Sequence, residues 1–234
     1  MQIHADLQQK ALVEHSSLEW VDSPQPGVQR KMLERDGEEV ARATSLVKYD
    51  SNSYFPEHTH DAGEEFIVID GTFSDESGDF PKGSYVRNPH GSSHKPFTKN
   101  GCEIFVKLRQ IHENDSSYTR VNFAKQDCVK VNENLEYMEL HKFGSEEVIL
   151  LSTHEKELNW NIDLKDGIEI FILQGEIIYD GLPYSQYDWL RFPPNKIPNL
   201  TISENSSIWL KTGHLPVVTE VQSNIDWQNL LQEI

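Results

Sequence analysis

Cysteine is scarce. The chain has two, Cys102 and Cys128, and no C-x-x-C pair. That excludes a disulfide framework and a cysteine-ligated zinc site, and both thiols read as reduced, small hydrophobes in or near strands. Basic charge is short as well: 21 basic residues stand against 38 acidic ones, for a formal net charge of -17. A field of that sign repels phosphate backbones and anionic lipid surfaces, so direct nucleic-acid binding is not expected. No apolar run approaches the roughly 20 residues a membrane helix needs. The opening MQIHADLQQK also lacks the charged-then-apolar layout of a signal peptide, so a cytoplasmic protein without membrane contact is expected. Long amphipathic helical patterns are missing too. What remains is a loose stripe of Leu7, Ala11 and Val13 near the start and a short helical pattern in NIDWQNLLQEI at the end.

What the chain does have is β-rich. Apolar residues make up 37% and aromatics 10%, enough for an ordinary core, so disorder is not expected. Short runs separated by Gly, Pro, Asn and Asp predict strands: ATSLVKY, EEFIVID, SYVRNP, CEIFVKL, EVILLS, IEIFILQG, YDWLRFP and SSIWLKT. A length of 234 residues allows one large β domain or two domains, and an internal repeat decides between them. Setting EEFIVIDGTF against IEIFILQGEI aligns Gly71 with Gly175, and the same offset pairs Arg87 with Arg191, Pro89 with Pro193 and Lys107 with Lys211. Apolar positions coincide as well, among them Phe66 with Ile170, Tyr85 with Trp189 and Phe105 with Trp209. The same fold twice is expected, all-β, with a boundary in the polar, turn-rich HENDSSYTR. The modules are then 1–115 and 116–234.

The first module carries a metal pattern. In PEHTHDAGEEFIVIDGTF, His58 and His60 lie two apart on an extended segment, so both imidazoles face one side. After the turn at DAG, Glu64 opens a strand that ends at Gly71. In GSYVRNPHGSSH, a turn rich in Gly and Pro precedes His94, which can reach back across the sheet. Two alternating histidines by themselves are more often surface or core residues than ligands. With Glu64 and His94 in place, three imidazoles and a carboxylate predict one divalent metal ion per chain. Such ligands suit Zn, Fe, Ni, Mn and Co, with zinc or iron favoured. His4, His15, His112, His141 and His154 have no partner pattern and are expected exposed, and His90 is expected in the turn before His94. Phe66, Tyr85, Arg87 and Phe97 are candidates to line a pocket, with packing or solvated surface as the alternative for each. In the second module the repeat puts Ile162, Leu164, Ile168 and Pro198 at the four ligand positions, an apolar set that would reject a cation.

At these residues the chain resembles the cupins. Their first motif is matched by His58, His60, Glu64 and Gly71, with Asn52 at the place of a leading Gly. Asn tolerates positive φ best among non-Gly residues, so that turn is expected to survive. The second motif is matched by Gly83, Pro89, Gly91 and His94, with Thr98 where Asn is common. TSLVKY, HTHDAGEEF, GCEIFVKL and the late WLKTGHL look like the ChrR-type branch, over about Trp20 to Leu215. The resemblance implies two tandem cupin modules, each a double-stranded β-helix or jelly roll, packed as a bicupin, with metal only in the first. It also implies a homodimer. The function implied is an effector-responsive regulatory or sensor protein binding a small molecule, with a metal-dependent dioxygenase acting on a diketone-like or hydroxyaryl ketone substrate as the alternative. Anti-sigma factors of this branch hold their sigma factor through a separate helical domain with a His and Cys zinc motif. No such motif stands in this sequence, so a sigma-factor partner is not expected.

Overall fold

The predicted β-rich runs all form strands in the computed structural model, which describes residues 1–234 apart from 39, 163, 165, 197, 216–224 and 233–234. The chain divides into two units, Met1–Ala5 with Leu18–Gln126, and Asp6–Ser17 with Asp127–Ile234. In the first unit the main sheet runs in the order Gln2–Ile3, Val28–Gly37, Ala41–Tyr49, Cys102–Leu108, Glu64–Asp75, Ser84–Asn88, Thr119–Asn122, and a short pair joins His58–Thr59 to Ser93–His94. In the second unit the order is Val129–Lys130, Leu135–Phe143, Glu146–Thr153, Ser207–Thr212, Ile168–Gln174, Trp189–Phe192, Ala11–Val13, with a four-stranded sheet beside it. Among the described residues no helix is long and apolar enough to cross a membrane.

The two units repeat each other down to the register. Leu108 pairs with Glu64 on one side and Ala43 on the other, and Thr212 pairs with Ile168 and Glu147, each 104 residues further on. Even the irregularities recur. A bulge sits between Glu103 and Ile104 against Asp70 and Val68, and its counterpart lies between Ile172 and Gln174 against Ile208 and Ser207. A second pair of bulges falls between Met32 and Glu34 and between Glu139 and His141. Each extra residue bends its strand and increases local twist, the means by which a sheet curls towards closure. Gly71 and Gly175 end the matching strands at φ 70 and 83. A Cβ on Gly71 would lie 2.2 Å from the Gly101 carbonyl oxygen, so no side chain fits there.

The expected division at 115/116 differs from the observed one because each main sheet takes its last strand from outside its own repeat. Thr119–Asn122 pairs with Ser84–Asn88 in the first unit, and Ala11–Val13 pairs with Trp189–Phe192 in the second. An uncovered edge strand presents unpaired N–H and C=O groups, which these short strands satisfy. The expected helix at the start is therefore a correction: Ala11 and Val13 alternate inward along a strand, and only His15–Ser17 is helical, as a single 3-10 turn. The short C-terminal helix, by contrast, forms over Trp227–Gln232.

Between neighbouring strands the outer positions carry a duplicated polar network. Glu65 Oε2 accepts from Tyr85 Oη and Arg87 Nη1, both at 2.8 Å, and Asp115 Oδ2 accepts from Arg87 Nη2 at 2.9 Å. In the second unit Glu169 accepts from Trp189 Nε1 at 2.7 Å, and Arg191 Nη2 donates to the Asp6 carbonyl at 3.0 Å. Burial lowers the Arg191 guanidinium to about 10, offset in part by Asp6. The inner positions pack the cores: Phe66, Val68, Phe73, Val86 and Ile104 in one, and Trp160, Ile170, Leu190, Trp227 and Leu231 in the other.

Candidate metal centre

The short pair His58–Thr59 with Ser93–His94 places His58 directly opposite His94. A backbone bond from His60 N to the Ser92 carbonyl, 2.8 Å, fixes the third imidazole beside them. In the turn that precedes the pair, Asn52 adopts φ 61, the left-handed conformation expected of it. The three rings form a near-equilateral triangle, with centroids 4.8, 4.9 and 4.7 Å apart. Glu64, first residue of its strand, directs Oε2 into the triangle, 3.4 Å from His60 Nε2 and 3.5 Å from His94 Nε2. One potential ligand atom from each of the four residues lies within 4.8 Å of the others.

The two separations from Glu64 Oε2, 3.4 and 3.5 Å, are those of atoms that share a cation. Ligand atoms held about 2.0–2.2 Å from one ion stand about 3.0–3.5 Å apart. A purely hydrogen-bonded cluster would instead close to about 2.7–3.2 Å. His60 Nε2 and His94 Nε2 are buried without any hydrogen-bond partner, a costly state for a polar atom that a metal ion relieves. The opposite edges of two rings are engaged. His58 Nδ1 lies 2.9 Å from the Pro56 carbonyl, and His94 Nδ1 lies 3.1 Å from Asp75 Oδ2. A proton held on each Nδ1 by those acceptors leaves the Nε2 lone pair for a cation.

Glu64 is steadied in turn. Asn88 Nδ2 donates to Glu64 Oε2 at 3.0 Å, and Arg120 Nη2 donates to Asn88 Oδ1 at 2.6 Å. The strand that closes the first sheet thus also aims the carboxylate. Burial pulls His60 below the ordinary imidazole value, partly countered by Glu64. Burial pulls on His94 as well, but the Asp75 hydrogen bond and the Glu64 charge outweigh it and raise His94 overall.

The cluster opens onto a cavity of about 480 Å³ in the first unit, walled by Val28, Val47, Ile104, Val106 and Leu108, with Ser23, Arg30, Tyr49, Thr59, Asp61 and Arg109 as its polar members beyond the cluster. The four expected pocket residues are not among its walls. Phe66 is packed in the core against Phe73, Tyr85 and Arg87 are taken up by the Glu65 network, and Phe97 is 45% exposed and lines a separate surface hollow with Tyr54. Alternation along the strands sets this: Tyr85 and Arg87 share a face opposite to Val86. Sequence reading passed over Asp75, Asn88, Arg120, Arg30 and Tyr49. Asn88 was within reach, because pairing the hairpin sets it opposite Glu64. His141, expected exposed, is buried, opposite Val148 on the neighbouring strand. The second unit places Ile162, Leu164 and Ile168 in its apolar core, and Pro198 is buried too.

Residues 8–112 match the family model described as the ChrR cupin-like domain. No curated protein matches the sequence. Among solved structures, a candidate dioxygenase from Nostoc punctiforme superposes with TM-score 0.69 at 14% identity, over 94% of this chain and 88% of that one. The bacterial pirin YhhW from Escherichia coli, in complex with nickel(II), gives 0.68 at 13% identity over 89% and 100%. An oxalate decarboxylase gives 0.59 at 11% identity over 86% and 76%. At such identities the likeness to these structures is one of fold alone, and the family match stands for residues 8–112, which resemble the ChrR cupin-like domain.

Proposed function

We propose that the first unit holds one divalent metal ion through His58, His60, Glu64 and His94, and offers it to a small molecule in the adjoining cavity as a regulatory or sensing centre. The observation that carries this is the pair of buried Nε2 atoms, on His60 and His94, that have no hydrogen-bond partner and face the same carboxylate oxygen. A bound divalent ion would supply Lewis acidity at the cavity wall, or redox chemistry if it were iron. The chain's own residues do the rest. Asp75 keeps a proton on His94 Nδ1, Asn88 and Arg120 hold Glu64 in place, and the apolar walls limit water. Zinc or iron is the ion proposed.

A second reading, oxygen-dependent cleavage of a diketone-like or hydroxyaryl ketone, draws support from the fold shared with the candidate dioxygenase of Nostoc punctiforme. Elemental analysis of the purified chain tests the first part, with one ion per chain expected and none after joint replacement of the four ligands by alanine. No ion in the parent chain, or two, refutes it. Oxygen uptake on a panel of β-diketones after iron loading separates the readings, and turnover decides for the enzyme.

A further inference from the structure

We propose that the cavity beside the cluster takes an organic monoanion, a carboxylate on an apolar body, and that Arg30 holds its carboxylate. This rests on the metal reading only for the identity of the site. Arg30 lies on the inner side of the strand Val28–Gly37, opposite Val47, and lines the cavity with Val28 and Tyr49. Its Nε is buried and has no hydrogen-bond partner. Every other arginine of the first unit is committed: Arg35 to the Glu38 carbonyl, Arg42 to Glu34, Arg87 to Glu65 and Asp115, Arg109 to Asp61, and Arg120 to Asn88. In a chain with 38 acidic residues a partner for Arg30 was easy to supply, yet among the described residues it has none. Arg30 is half-buried and shares the lining with Asp61, which is paired to Arg109, and with Glu64, which belongs to the cluster, so a ligand carboxylate that matches the planar fork of the guanidinium would satisfy its buried donor.

The second unit shows that the barrel itself does not need this cation. By register Arg30 corresponds to Tyr137, opposite Leu151, and Tyr49 corresponds to Thr153, opposite Leu135. The guanidinium therefore occurs only in the unit that has the histidine cluster. The walls choose among anions: a hydrated dianion such as phosphate would lose its water against Val28, Val47 and Ile104, whereas an aryl or alkyl carboxylate buries its body there.

The test compares 3-phenylpropionate with 3-phenylpropanamide, of equal shape and no charge, by calorimetric titration of the full chain, metal-free and zinc-loaded. The acid should bind about ten-fold more tightly than the amide in both forms. Arg30→Gln should reduce that advantage to under about two-fold, Arg30→Lys should retain part of it, and neither should change metal content. The proposal is overturned if the acid does not bind, if acid and amide bind alike, or if the advantage survives Arg30→Gln. An advantage confined to the zinc-loaded protein and indifferent to Arg30 would put the carboxylate on the ion, which also overturns it. A chain that takes up no metal but keeps an Arg30-dependent preference would sink the metal reading and leave this one standing.

Discussion

Asp75→Asn is the sharpest test of how the cluster is held. Asp75 is buried, accepts from Ser77 N at 2.7 Å through Oδ1, and lies 3.1 Å from His94 Nδ1 through Oδ2. Asparagine keeps one acceptor, which Ser77 uses, and turns an NH₂ towards the imidazole. Nδ1 must then accept, so the proton moves to Nε2, the atom that faces Glu64. Loss of such an orienting carboxylate weakens metal binding about 10- to 100-fold, or about 1.4–2.7 kcal/mol. The pH dependence carries a second signature. Asp75 helps hold His94 above the ordinary imidazole value, so in the parent chain protons compete for Nε2 as pH falls through that raised value. In the variant the competition eases, and the deficit should be largest near about pH 8 and narrow towards about pH 6. Competition against a chelator, with metal content read in parallel, measures this. An unchanged affinity, a deficit that widens in acid, or a loss as large as that of His94→Ala would refute the reasoning.

Arg87→Ala leaves Glu65 and Asp115 buried without their cation, and should cost about 3–5 kcal/mol in chemical denaturation. A loss under about 1 kcal/mol would mean that water replaces the guanidinium. Burial alone would raise the Asp115 carboxyl, but donors from Ser117 and Arg87 hold it below its usual value. Its stabilisation is therefore present above the unfolded value and lost as pH falls through the folded one, and Asp115→Asn should flatten the denaturant midpoint between about pH 5 and pH 3. An unchanged acid slope would count against it. Trp227 packs in the second core and donates from Nε1 to Glu147 at 2.6 Å, so Trp227→Ala should cost about 3–5 kcal/mol by thermal or denaturant unfolding while metal content per chain stays constant. A change in metal content would contradict the independence of the two interiors.

The ligand motif and the repeat were legible because both are written in spacing: His58, His60, Glu64 and His94 at turn-defined intervals, and strands in gapless register. Two long strands were not. Val28–Gly37 and Leu135–Phe143 each carry a bulge, which breaks two-residue alternation, and each is rich in charge, so neither reads as apolar in and polar out. Missing the first of them concealed Arg30. The strand Ala11–Val13 was obscured for another reason. Three residues are too few to separate a strand from a helical stripe, and the partner that decides between them, Trp189–Phe192, lies far along the chain. Arg87, a pocket candidate with packing as its alternative, belongs to the packing, and it repeats as Arg191 because both outer networks use it.

That last distinction separates scaffold from site along the whole chain. Outward positions keep their chemistry across the repeat: Glu65 and Glu169, Tyr85 and Trp189, Arg87 and Arg191, Lys107 and Lys211, each buried. Inward positions do not. His58, His60, Glu64 and Asn88 of one unit correspond to Ile162, Leu164, Ile168 and Phe192 of the other, and Arg30 corresponds to Tyr137. Had the inward polar residues been needed to close or stabilise the barrel, a second barrel with the same register, the same bulges and the same outer network would need them too. It is instead filled with apolar side chains, the cheaper solution for an interior. Three imidazoles, two carboxylates and an amide gathered at the cluster, with a guanidinium that has no partner among the described residues in the adjoining cavity, are a stability cost that a cation and its ligand would offset.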